Sequence, residues 1–187
     1  MAVAVNPRMI AAVLQRIPAL AGQPISVKFA TALTAHRGKL LYGAPVGTPV
    51  HAGSHLRRRE MVLDTWLLRN RTELARIFVH EVYHFVWARL GKTRRSIYEE
   101  LLNREMRARV PGELGWSAEG MKLRLIPADR EGRTRRWRDY VCESFCDTAA
   151  WLYSHARTHE EWTLAESHRK RRAECLAHIL KEGELRV

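Results

Sequence analysis

Two histidines four residues apart, with a glutamate directly after the first, carry the clearest chemistry in this 187-residue chain: His80-Glu81-Val82-Tyr83-His84. On a helix, positions i and i+4 lie one turn apart on the same face. Both imidazoles can therefore converge on one cation, and neutral imidazole is a good zinc ligand at about 2.0–2.1 Å. Glu81 is rotated by roughly 100° from His80, so it stands beside the pair and can reach a water held at the cation, the position of a general base. The surrounding residues, Leu74 to Leu90, are apolar nearly all round, which predicts a buried helix. A His-Glu-His set buried there without partners costs on the order of several kcal/mol, and a metal with its water satisfies all three. The alternative is two core histidines bonded to backbone, with Glu81 paired to an arginine.

A catalytic zinc takes three protein ligands and a water. No His or Cys occurs between His84 and Tyr140, so the third ligand comes from further along. Glu143 is the best candidate. It stands four residues before Asp147, again on one helix face, so one carboxylate can ligate while the other accepts the N–H of a ligating histidine. Cys142 and Cys146 have the same spacing on a neighbouring face. Thiolates bind zinc well, so a His-His-Cys set through Cys146 competes with Glu143; buried free cysteines also serve as small apolar packing groups, which is the reading for Cys175.

His80-Glu81-x-x-His84 followed far downstream by Glu143-x-x-x-Asp147 resembles the gluzincin group of zinc metallopeptidases. The resemblance extends over about residues 55–155. It implies a zincin-like fold, with a small twisted sheet whose edge strand precedes the active-site helix, here Arg59 to Leu68. It implies one Zn2+ per chain held by His80, His84 and Glu143, with Glu81 as the catalytic carboxylate and Asp147 holding His80. The activity implied is hydrolysis of a peptide or protein substrate. A donor to the oxyanion is then required, and Tyr98, Tyr140, Tyr153, His155 and His159 are the candidates. His51 and His55 share a Gly-rich loop and read as surface or rim residues.

The elements that must position these groups follow from periodicity and punctuation. Helices are predicted over Arg8–Leu20, Arg71–Leu90, Ser96–Val110, Arg135–Tyr153 and Thr158–Lys181. Gly91 is expected as a left-handed cap, and Thr158-His159-Glu160-Glu161 as a capping box. Strands are expected over Ile25–Thr34, Leu40–Tyr42 and Arg59–Leu68, with Gly43–Gly53 as loop and Met121–Ile126 as a short strand or extended segment. Strands first and helices after make an α+β class: a single domain over 1–187, with a sheet part of about three strands over 1–70 and a helical part over 71–187.

The chain has 32 Lys+Arg against 20 Asp+Glu, a formal charge of +12. The first sixty residues hold eight of the cations and only Glu60 as an acid. A basic excess of this kind points to nucleic acid as a second partner class, with Arg57-Arg58-Arg59 and Arg169-Lys170-Arg171-Arg172 the densest runs. In a helix the four residues of the second run point in four directions, so most are expected in solvent. Three cysteines, all after residue 141, cannot close a disulfide framework. No apolar stretch is long enough to span a bilayer, and Gln15, Arg16 and Pro18 interrupt the only leader-like segment. The expectation is a cytoplasmic protein with no membrane partner.

Overall fold

The computed structural model describes residues 7–37, 39–43, 46–181 and 185–187. The class is α+β: small sheets in the N-terminal part, then a mainly helical second half, with seven α-helices among the described residues. None of these helices is long and apolar enough to cross a membrane.

The chain opens with α1, Pro7–Leu14. The expected continuation to Leu20 fails ahead of Pro18, whose ring and missing N–H are incompatible with a helix interior; Leu20–Ala21 is instead a short strand, β1. The single strand expected over Ile25–Thr34 is two strands in two sheets. β2, Ser26–Ala30, ends where Ala32 takes a positive φ of 52°, and β3, Leu33–His36, leaves in a new direction. β4, Lys39–Tyr42, returns antiparallel to β3. The segment expected as loop, Gly43–Gly53, contains β5, Thr48–Pro49, which pairs with β3, and the first two residues of β6, Ala52–His55. Gly and Pro density hid both. β7, Glu60–Asp64, is shorter than expected, because Asp64 accepts a hydrogen bond from the Trp66 N–H at 2.7 Å and turns Thr65–Arg69 into a 3-10 segment.

The sheet beside the site has the order β2-β7-β6, with β2 parallel to β7 and β6 antiparallel to it. The strand expected at the edge, within Arg59–Leu68, is therefore the central one. The edges are β2 and β6, and β6 is the one beside the site.

After the 3-10 segment, Asn70 caps α2, Arg71–Arg89, by accepting the Glu73 N–H at 3.2 Å. Gly91 is extended rather than left-handed and serves as the N-cap of α3, Lys92–Arg107, which starts four residues before the expected Ser96. The stretch expected as a strand is the end of α4, Trp116–Leu123, and the turn leading to α5, Pro127–Glu131. Thr134 caps α6, Arg135–Tyr153, with the expected bounds. α7 spans only Glu166–Leu180. Thr158–Glu161 does not open it, because His159 and Glu161 are committed to α2, as described below. The last strand, β8, Leu185–Arg186, runs parallel to β1.

The core lies mainly between α2 and α6, which pack on each other more extensively than any other pair of elements. Phe78, Val79, Val82, Tyr83, Phe85 and Val86 of α2 are buried with Trp137, Val141, Phe145 and Ala149 of α6. Phe145 meets Tyr83 and Trp87 at ring-centroid distances of 5.9 and 4.9 Å. At about 1.5–3 kcal/mol per buried large apolar side chain, this seam fixes the two helices that carry the site.

Candidate metal centre

α2 presents His80 and His84 toward α6 with their Nε2 atoms 3.1 Å apart. α6 answers with Glu143, whose two carboxylate oxygens lie 3.6 Å from the Nε2 of His80 and of His84. Ligands at about 2.0–2.1 Å around a tetrahedral zinc are separated by about 3.3 Å, close to these separations, with a different Glu143 oxygen facing each ring. One helical turn further, the Asp147 carboxylate accepts from Nδ1 of His80 at 2.8 Å. That bond puts the His80 proton on Nδ1 and turns the Nε2 lone pair toward Glu143 and His84. The second Asp147 oxygen is buried without a hydrogen-bond partner among the described residues. Gly115 makes room for it: a Cβ there would lie 2.4 Å from Asp147 Oδ2.

The electrostatics of the cluster call for a cation. Burial alone would push both histidines down, yet both are raised. For His80 the Asp147 carboxylate outweighs burial. For His84 the Cys142 contact and the Glu81 and Glu143 carboxylates outweigh it and push it up to about 10. The site is a negative pocket whose carboxylates favour positive charge between them.

Glu81 is 8 % exposed. The Ser54 hydroxyl of β6 donates to its Oε2 at 2.6 Å. Ser54 thereby ties the sheet edge to the carboxylate beside the histidine pair. Together these groups line a cleft of about 510 Å³ whose walls also include His51, Trp116 and Arg76. Arg76, one turn before His80, is buried and gives its guanidinium to Glu73 and to Glu161, at 2.8 and 2.9 Å. Glu161 in turn accepts the Trp116 N–H at 3.1 Å, and His159 bonds Glu73 at 3.0 Å. These contacts hold the 158–163 segment against α2 as a cleft wall, which is why that segment is not the start of α7.

A second metal-capable group adjoins the first. Nδ1 of His84 lies 3.5 Å from the sulfur of Cys142 and 3.5 Å from that of Cys146, and the three donor atoms all lie within 4.8 Å of one another. Cys146 is buried and Cys142 partly so. The Cys146 thiol, with His84, lowers Cys142, while burial pushes Cys146 up.

The structure thus brings together His80, Glu81, His84, Glu143 and Asp147, with both cysteines behind His84. It does not bring the oxyanion candidates there. Tyr98 and Tyr140 are fully buried, with hydroxyls spent on Thr148 at 2.7 Å and Glu113 at 2.6 Å. Tyr153 stacks on Tyr83, and His155 is exposed on a left-handed turn after α6. His159 shapes the wall through Glu73. His51, at the rim, stacks on Trp66 at 4.9 Å. Sequence reasoning missed Ser54, Gly115, Trp116, Arg76 and Glu161. Only Arg76 gave a signal, its position four residues before His80. No family model, curated protein or solved structure matches the chain.

Proposed function

We propose that the protein is a zinc-dependent peptidase, with one zinc held by His80, His84 and Glu143. The observation that carries this reading is the pair of Nε2 atoms 3.1 Å apart on α2, each faced by a Glu143 oxygen of α6 at 3.6 Å, with a Glu81 oxygen within 4.8 Å of both histidines. When bound, zinc supplies an acidified water and a Lewis acid for the scissile carbonyl. The chain's own residues do the rest. Asp147 fixes the tautomer of His80. Glu81 takes the proton from the attacking water and returns it to the leaving amine, and Ser54 holds that carboxylate in place. The β6 edge, paired among the described residues on its β7 side, offers backbone groups to an extended peptide, which suits strand addition beside the site.

Glu81→Gln tests this directly. The amide cannot accept the proton, so hydrolysis of a mixed peptide library should fall by about 10²–10⁴-fold while zinc content by elemental analysis stays the same. Undiminished turnover in that variant overturns the mechanism; bound zinc with no turnover in the wild type leaves a non-catalytic zinc module.

A further inference from the structure

We propose that His84 is shared between two mutually exclusive cation sites, and that the second, formed by its Nδ1 with the sulfurs of Cys142 and Cys146, takes a thiophilic cation. The competition half of this proposal rests on the zinc reading above; the thiolate site does not.

The distances support a built site. Around a tetrahedral ion with metal–nitrogen bonds of about 2.0–2.1 Å and metal–sulfur bonds of about 2.3 Å, the nitrogen–sulfur edge is about 3.5 Å. Both observed edges are 3.5 Å. The donor set, one imidazole and two thiolates, selects soft or borderline ions such as Cd2+, Cu+ or Zn2+ over hard ones. The two sulfurs come from one helix and the nitrogen from another, so the α2–α6 seam that orients Glu143 orients this set too.

The hydrogen bonds supply a second, independent argument. Asp147 holds the proton of His80 on Nδ1, which leaves Nε2 of His80 as an acceptor. The 3.1 Å approach of His84 Nε2 is then a hydrogen bond only if His84 carries its proton on Nε2. In the neutral ring that leaves the lone pair on Nδ1, facing the two sulfurs. A cation captured at Nδ1 leaves the hydrogen bond between the two Nε2 atoms intact, whereas a cation held with His80 and Glu143 must break it. A neutral imidazole has one acceptor nitrogen. It cannot serve both ions, so a thiophilic ion that captures Nδ1 removes His84 from the zinc site and switches the peptidase off.

Cadmium titration of the purified full-length protein tests this, read by the ultraviolet thiolate-to-cadmium charge-transfer band and, in parallel, by zinc released to a chromophoric chelator. The wild type should develop the band to saturation at one cadmium per chain, with zinc released in step. Cys142→Ser/Cys146→Ser, which keeps Cys175, should lose the band and retain zinc. Should that variant not fold by circular dichroism, Cys142→Ser alone, at the partly exposed position, should lose the saturable band. His80→Ala should lack zinc and keep the band. No band in the wild type, or an undiminished band in the serine variants, overturns the thiolate site. A full band with all zinc retained overturns the competition. A band in protein that never carried zinc upholds the thiolate site and overturns the zinc reading and the competition with it.

Discussion

At the scale of single residues, the orientation of His80 depends on Asp147, and that of Asp147 depends on an absent side chain at position 115. Removing an outer carboxylate from a zinc-ligating histidine typically costs about 10–100-fold in metal affinity. Asp147→Ala should do so here, measured by competition with a zinc chelator. Gly115→Ala should weaken zinc in the same direction, because its methyl carbon would sit 2.4 Å from Asp147 Oδ2 and the carboxylate must leave its place. If Gly115→Ala binds zinc as the wild type does, Asp147 is not holding the ring. The histidines, Glu81, Glu143 and Asp147 were legible from residue type and helical spacing alone, because i, i+4 spacing fixes a common face whatever the tertiary structure. Gly115 and Ser54 were not, since their roles come from contacts between segments far apart in sequence.

At the scale of elements, α6 must be held so that Glu143 faces α2, and a buried polar network behind it does this. Arg172 of α7 is fully buried. It bonds Glu105 of α3 at 2.6 Å, Glu113 before α4 at 3.0 Å and the Ser144 hydroxyl of α6 at 2.8 Å. Tyr140 and Lys122 also reach Glu113, at 2.6 and 3.1 Å. Truncating one partner of such a set leaves buried charge uncompensated, so Arg172→Met should destabilise the fold by about 3–5 kcal/mol, read from urea unfolding. Burial alone would raise the Glu113 carboxyl; the Arg172 guanidinium outweighs it and holds Glu113 below its ordinary 4.5. Its contribution is then complete above that unfolded value and is lost as pH falls through the lower folded one. Glu113→Gln should be less stable at neutral pH and show a flatter loss of stability across the window below 4.5; an unchanged acid-unfolding curve would show that the pair contributes nothing. None of this network was legible in the sequence. Arg172 ends a run of four cations that reads as solvated, and only α7 packing on α3 and α6 distinguishes it from exposed Arg171. α6 has the expected bounds because the signals that set them, the Thr134 cap and the apolar period, are local. The start of α7 was misread because Arg76 and Trp116 outbid a local capping signal for Glu161.

At the scale of the whole molecule, the cleft and the surface have opposite signs. The chain carries +12, and Arg37, Lys39, Arg57 and Arg58 are exposed in its N-terminal part. Among the described residues the cleft is lined by Glu81, Glu143, Asp147 and Glu161 against one cationic side chain, Arg76, and that guanidinium is already tied to Glu73 and Glu161. A bound dication does not fully offset the four carboxylates. Which sign a substrate meets therefore depends on screening. At about 0.01 M salt the Debye length is about 30 Å and the whole positive molecule acts on an approaching peptide; at about 0.15 M it is about 8 Å and only the cleft does. The ratio of kcat/KM for a lysine-containing peptide over its glutamate-containing counterpart should accordingly rise as salt is raised between these limits. A ratio that falls instead would mean that surface and cleft do not act separately. The same screening distinguishes the two partner classes that the composition suggested. Non-specific affinity for nucleic acid falls steeply over this range as released counterions become less favourable, so binding by gel shift at 0.01 M should be absent at 0.15 M. Retention at the higher salt would assign the exposed cations to nucleic acid in their own right, whatever the cleft hydrolyses.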